Sequence, residues 1–407
     1  MNQNKLLISI LSVLYILHEM PTVGIKFNSG IFAVVVVCLF VFLLKSIGFR
    51  KFAKILPIFI IPILDTLINY NGAFSFFQGI SGVLQSLVLP MLAIYLYKFK
   101  NIKLATFLFS IYIGANLITC FTTYIGCQIY PGASRDLVTG LLETPMYETY
   151  MNANIGGFGF IYQMSMLSVI AICCVKNFQL MPKGYLILLV SIIFLIGICM
   201  AVIAAEYTTA IILLTFSLFL LIEERTVKFK RFSVLGIFTL IFFSTFKPII
   251  SETLTTISEN IESYNISHRL KDLALSLEGK NTQKNSDMDA REECYRTSLN
   301  SFAENPLGGW SQSVSGKHSF ILDSLAKYGL FGLFLLIFIF RKIYVHYIVP
   351  LKNTYVYGYG IFVYILSIIL SVINPILFTN IIMFVIPVFI LVLVKRPDIK
   401  SQYNLPT

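Results

Sequence analysis

The chain has 407 residues, of which 57% are hydrophobic and only 13% charged, with a mean hydropathy of +0.80. Soluble domains carry about 25% charged residues, so this composition excludes an ordinary soluble protein and predicts a polytopic membrane protein. The formal net charge of +11 comes from cations flanking apolar spans, and no nucleic-acid partner is expected from it.

A bilayer core about 30 Å thick is crossed by roughly 20 apolar residues in a helix. By that measure about twelve spans are predicted, near 5–22, 29–48, 52–69, 77–97, 104–126, 155–175, 185–203, 206–222, 232–250, 319–340, 355–373 and 377–394. The first, Lys5 followed by Leu6 to Leu17, resembles a signal peptide. No small-residue cleavage site follows it and further spans do, so it reads as the first helix. The seventh and eighth spans form a tight hairpin around Ala205-Glu206-Tyr207.

Basic residues fall on one set of helix ends: Lys45 to Lys54, Lys98 to Lys103, Lys176 and Lys183, Arg225 to Arg231, Arg341 to Lys352, and Lys395-Arg396. The short loops on the other side hold little beyond Lys26 and Arg135. The positive-inside rule therefore predicts both termini in the cytoplasm. The expected organisation is all-α: spans one to nine in residues 1–250 with an outer loop near 128–153, one large and partly helical outer loop at 251–318, and the last three spans with a cytoplasmic tail in 319–407. Cytoplasmic loops are all short. No P-loop, GxGxxG motif or cytoplasmic domain offers a pocket for a soluble nucleotide.

Of the seven cysteines, five lie inside apolar spans, where cysteine acts as a small apolar residue. Cys127 and Cys294 both fall near the outer face and are a candidate pair, although no disulfide framework is recognisable.

Within the large loop, residues 267–278 place Leu270, Leu273, Ala274 and Leu277 on one helical stripe with Arg269 at its edge. A polar run, Gly279 to Asp289, reads as an exposed turn; its Asp287-x-Asp289 pair is expected to be solvated rather than metal-binding. The next segment, AREECYRTSLNSFAE, predicts a second amphipathic helix with Arg291, Tyr295, Ser298 and Phe302 on one face, and Arg296 turned away with the acids. Asn305-Pro306 ends it and Gly308-Gly309 permits a turn. Ser319 is the expected N-cap of the tenth span, with Asp323 and Lys327 spaced as an i,i+4 pair. The positive end of that helix would favour neutral imidazole at His318, the form a general base requires, and would attract anions nearby. Asp65, Glu206 and the His18-Glu19 pair are further ionisable groups at membrane boundaries.

His318-Ser319-x-x-Leu322, followed after six residues by Gly329, resembles the His-[Asn/Ser]-x-x-Leu-x6-Gly motif of the O-antigen polymerase (Wzy) and O-antigen ligase superfamily. Arg291 followed by Asn305-Pro306-Leu307-Gly308 is similar to that family's approach to the motif, and Asn154 to Tyr162 looks like the opening of a mid-chain helix in Gram-positive-type Wzy proteins. The departure is Trp310-Ser311-Gln312, where ligases more often carry a small-residue Gly-x-Gly run.

The resemblance implies a glycosyltransferase of the bacterial cytoplasmic membrane that moves a growing glycan from undecaprenyl pyrophosphate onto the non-reducing end of a lipid-linked repeat unit. Arg291 would hold the departing pyrophosphate, seconded by Arg269 and Arg135, because guanidinium offers a planar fork of donors and a permanent charge. His318 would be the general base, and Asp323 and Tyr295 would contact substrate. Inverting transfer needs no metal and no cofactor here, because pyrophosphate already leaves well and arginine can meet its charge. Membrane lipid, a chain-length regulator and a flippase are the partners implied. The alternatives are a ligase using the same donor and, from another class, a flippase or transporter. Transport requires charged residues lining a central cavity and paired halves, whereas the ionisable residues here gather on one outer loop.

Overall fold

The computed structural model describes residues 3–19, 29–68, 73–137, 145–222, 247–260, 287–375 and 380–394, together with 267, 270, 271, 274, 275 and 377. Among these residues there is no strand, and the molecule is an all-α membrane protein. The chain opens with α1 (Gln3–His18) and α2 (Ser29–Ile47). A short basic helix, α3 (Phe49–Ile55), passes through a 3-10 turn (Leu56–Phe59) into α4 (Ile60–Ile68). Next come α5 (Ala73–Lys98) and α6 (Ile102–Ile129). The following outer segment holds the small helices α7 (Ala133–Asp136) and α8 (Pro145–Asn152). It leads to α9 (Phe158–Asn177), α10 (Gly184–Ala204) and α11 (Thr208–Phe219).

After α12 (Lys247–Glu259) and α13 (Asp287–Glu304) comes the long helix α14 (Phe320–Ile343), then α15 (Tyr357–Ile373). A π turn (Ile381–Val385) leads into α16 (Ile386–Leu393). Six of these helices are long and apolar enough to cross a membrane, starting at Gly30, Phe76, Ile102, Phe158, Gly184 and Phe320. Four shorter apolar helices, Asn4–His18, Thr208–Phe219, Tyr357–Ile373 and Ile381–Leu393, match four more of the expected spans.

Two expected spans differ. The third (52–69) is broken into α3, the 3-10 turn and α4, because Pro57 enters the turn at its start and has no N–H to continue the helical ladder. The ninth (232–250) lies mostly outside the described residues, and α12 runs across its expected end at residue 250. The polar run at 279–289 also corrects in part: α13 already begins at Asp287.

Helix α9 is the centre of the bundle, with most of its surface buried, whereas α2 shows most of its own to the outside. Small residues explain this. Ser165, Ser168, Ala171, Cys173 and Cys174 are buried along α9 and let neighbouring backbones approach closely. The Ser165 hydroxyl donates to the Ala210 carbonyl of α11 (3.1 Å), a bond with no competing water in a membrane interior. α9 packs on α10, α11 and α15, while α6 joins α10, α1 and α16. Ionisable groups inside this apolar frame are engaged: Glu19 accepts from Gln85 (2.6 Å), and the His18 ring stacks on Phe32 with centroids 3.4 Å apart.

Candidate functional site

The site is built where α13 lies along the start of α14. As expected, α13 ends at Glu304 before Asn305-Pro306. Ser298 is buried on its inner face, whereas Arg296 is exposed and paired with Glu292 at 2.9 Å. Tyr295 is half-buried, and its hydroxyl donates to the Ile373 carbonyl at the end of α15 (3.0 Å). Burial pushes the Tyr295 phenol pKa up, and the neighbouring Arg291 charge opposes that rise. Arg291, one turn away on the same face, is half-buried and has no carboxylate partner among the described residues.

The turn into α14 crosses α13 closely. A Cβ on Gly316 would collide with the Cys294 carbonyl, so only glycine allows this approach. The Gly316 N–H donates to the Ser298 hydroxyl (2.9 Å) and that hydroxyl donates to Asp323 (2.7 Å). Asp323 also accepts from the N–H groups of Lys317 (3.2 Å) and Ser319 (3.1 Å). Ser319 caps α14 as expected, accepting from Leu322 N–H (3.0 Å), and the reach of Asp323 back to Ser319 N–H completes a reciprocal cap.

Between these two anchors sits His318, with its side chain exposed. Lys317 just before it is forced to φ +62°, a conformation that costs a non-glycine residue and is held by its neighbours. The elements thus bring the His318 turn onto α13 one turn from Arg291. The i,i+4 pairing of Asp323 with Lys327 is corrected. Asp323 spends its carboxylate on the cap, and Lys327 reaches instead to Asp65 on α4 (3.0 Å). Asp65 also accepts from the Tyr328 hydroxyl (2.8 Å).

Replacing Asp323 with Asn keeps the shape but gives away one acceptor and a charge that opposes the helix dipole. A loss of about 2 kcal/mol is expected, read as a lower thermal midpoint in detergent, with wild-type stability counting against this cap.

Arg135 approaches from a different direction, on α7. That short helix is fixed by buried hydrogen bonds to its neighbours. Ser134 donates to the Gly156 carbonyl, its own carbonyl accepts from the Tyr207 hydroxyl (2.8 Å), and Gly156 N–H donates to Thr123 (2.8 Å). Ile155 packs into the space left by Gly126. The segment Asn154 to Tyr162 therefore serves as the seat on which Arg135 is mounted. The Arg135 charge acts on the Tyr207 phenol, and Tyr207 packs against Tyr162 and Phe158 with ring centroids 5.9 Å apart in each case. Tyr295, beside Arg291, senses Tyr162 as well. Arg135 thus acts on Tyr207 and Arg291 on Tyr295, and both of these phenols sense Tyr162 of α9. Tyr162 and Tyr207 were given no role from the sequence, although each is the last residue of a segment that was singled out there.

Arg269 lies outside the described residues. Cys127 and Cys294 are not bonded: Cys127 is buried with Ala133, Tyr150 and Ile155, and both thiols are free. Among the described residues no three His, Cys, Asp or Glu side chains cluster as metal ligands would. Glu206 occupies the tight α10–α11 turn at φ +56°, next to Tyr207. Comparison with protein-family models and with curated proteins found no match. What the chain itself establishes is an all-α membrane protein. At one end of its bundle, the turn carrying His318 is locked onto the helix carrying Arg291, and Arg135 acts on the Tyr207 phenol.

Proposed function

We propose that this protein is a lipid-linked oligosaccharide polymerase. It would transfer a growing glycan from undecaprenyl pyrophosphate onto the non-reducing end of a lipid-linked repeat unit, at the outer face of a bacterial cytoplasmic membrane with both termini inside. The observation that carries this reading is the seating of the His318 turn on α13, one helical turn from an Arg291 that has no carboxylate partner among the described residues.

In this reaction the acceptor hydroxyl attacks the anomeric carbon of the donor sugar from the face opposite the pyrophosphate. The new glycosidic C–O bond forms as the anomeric C–O bond to phosphate breaks, inverting that centre. The hydroxyl proton passes to His318, and undecaprenyl pyrophosphate departs with the bonding electrons. Arg291 and Arg135 would hold that pyrophosphate through charge-assisted hydrogen bonds. Arg269 is retained as a third cation on grounds of sequence. Asp323, with its oxygens committed to Ser298 and two N–H groups, acts as a positioning residue for the His318 turn. Tyr295 anchors α13 to α15 and keeps its ring beside Arg291.

The test is complementation of a strain lacking the native gene with His318→Ala or Arg291→Ala, each checked for normal membrane abundance, followed by gel analysis of surface polysaccharide. The expected result is loss of the long-chain ladder while single repeat units still reach the surface. Complete loss of surface sugar would point to a ligase or flippase instead, and an unchanged ladder from both variants would remove the site from this loop.

A further inference from the structure

At the other end of the bundle, cations from four elements distant in sequence converge. Lys98, at the end of α5, donates to the Ser46 carbonyl (2.7 Å) and so caps the end of α2 just before α3 begins. On α3, Phe52 and Ile55 are buried while Lys54 is exposed and Lys51 half-buried, the pattern of a short helix lying in the membrane surface. The charges of Lys98 and Lys54 act on Lys51, whose ammonium pKa is lowered by burial first and by these two neighbours next. Lys5 of α1 and Lys98 lie over the same ring, Phe99, at 6.0 and 5.3 Å. From α14, Lys342 lies over Phe338 (5.3 Å). Beyond it a π turn, Tyr344–Ile348, carries His346 to where the charges of Lys342 and Lys54 both reach it.

Positive charge at one end of a membrane bundle is ordinary. Three features here go further. The cations come from separate elements and repel one another, and what they do contact is carbonyl oxygens and aromatic rings rather than a balancing carboxylate. No aspartate or glutamate occurs among the described residues 3–8, 44–56, 95–105 and 340–358, the segments that carry these cations. A π turn, a local irregularity that accumulates at functional sites, places His346 among them. The exposed rings of Phe49, Phe99 and Phe338 sit beside the cations, as aromatic anchors do at the level of lipid headgroups.

The geometry points to a binding site for the phosphate headgroup of an anionic phospholipid, formed by Lys51, Lys54, Lys98, Lys342 and His346 at the end of the bundle opposite the His318 turn. Charge complementarity selects an anion, and the interfacial helix with its flanking rings selects one embedded in the bilayer. The site is independent of the transfer reaction proposed above.

The test is titration of phosphatidylglycerol, with phosphatidylcholine as control, onto the detergent-purified full chain, with bound lipid counted by native mass spectrometry. Lys51, Lys54 and Lys342 are changed together to Gln; Lys98 is kept because it caps α2. Each lysine near an anionic lipid surface contributes about fivefold, so roughly a hundredfold weaker phosphatidylglycerol binding is expected of the triple variant. The triple Lys→Arg variant should bind as the wild type does. Undiminished binding by the Gln variant, equal binding of phosphatidylcholine, or displacement of the lipid by millimolar inorganic phosphate would each overturn the proposal. Should the Gln variant fail to fold, salt decides on the wild type alone: binding must weaken steeply as salt is raised, and salt-independent binding overturns the site.

Discussion

Gly329→Ala is expected to cost about 4 kcal/mol or more and to leave little folded protein in the membrane. Gly329 lies inside α14 at φ 59°, ψ −141°, a region of backbone space essentially closed to residues with a side chain. The kink has a partner. Pro306 and Gly308 press into it, so closely that a Cβ on Gly329 would overlap the Pro306 carbonyl and the Gly308 nitrogen. Gly308 stands at φ +90°, and its own missing Cβ would meet the Lys327 carbonyl.

Breaking the helix frees carbonyls that the preceding turn then satisfies. Trp310 N–H donates to Lys327 (2.8 Å) and Gly309 N–H to Ala326 (3.2 Å), while Leu330 N–H donates to Pro306 (2.8 Å). Straightening α14 to accept alanine would forfeit these three bonds, leaving the Ala326, Lys327 and Pro306 carbonyls to find other partners. Size-exclusion profiles and thermal midpoints of Gly329→Ala and Gly308→Ala report the outcome. A monodisperse Gly329→Ala protein with a wild-type midpoint would show that the interlock is not structural.

Asp65→Ala is the second large effect, and its sign under a double substitution is the informative part. Lys327 is 10% exposed and Asp65 28%, so removing the carboxylate strands an ammonium among apolar neighbours and takes away the acceptor of the Tyr328 hydroxyl. Breaking one side of a buried pair costs about 3 kcal/mol. Replacing both partners with apolar residues of similar size removes the stranded charge along with the attraction, and such exchanges are often close to neutral. The double variant Asp65→Leu with Lys327→Met is therefore expected to melt well above Asp65→Ala alone. If it melts at or below the single variant, the Asp65–Lys327 contact is not what holds α4 to α14.

These two sites mark where reading along the chain stopped. The face of α13, its end before Asn305-Pro306, the Ser319 cap and the α10–α11 hairpin at Glu206 were all legible, because each depends on residues within a turn or two of one another. The candidate chemistry of His318 and Arg291 was legible only as a resemblance in motif spacing. The role of Asp323 was misassigned to a pair with Lys327 four residues on. Helical spacing makes such a pair available, but the Ser298 hydroxyl and two loop N–H groups compete for the carboxylate and are better placed. The third span looked continuous because hydropathy sums over Pro57, although a missing N–H breaks the ladder there.

What the amino-acid sequence determined by itself was the solvent and the class: too few charges and too many long, continuous apolar runs for anything but helices in a membrane, since a helix satisfies its backbone within a single segment there. It also determined which local segments turn, cap or stop. The tertiary structure alone decided that Lys327 meets Asp65, 262 residues away, that Gly329 is the socket for Pro306, and that the Tyr207 hydroxyl reaches the Ser134 carbonyl beside Arg135. Those outcomes depend on the order in which spans pack against α9, which is set by small residues and close fits along whole helices and leaves no trace in any single window of sequence.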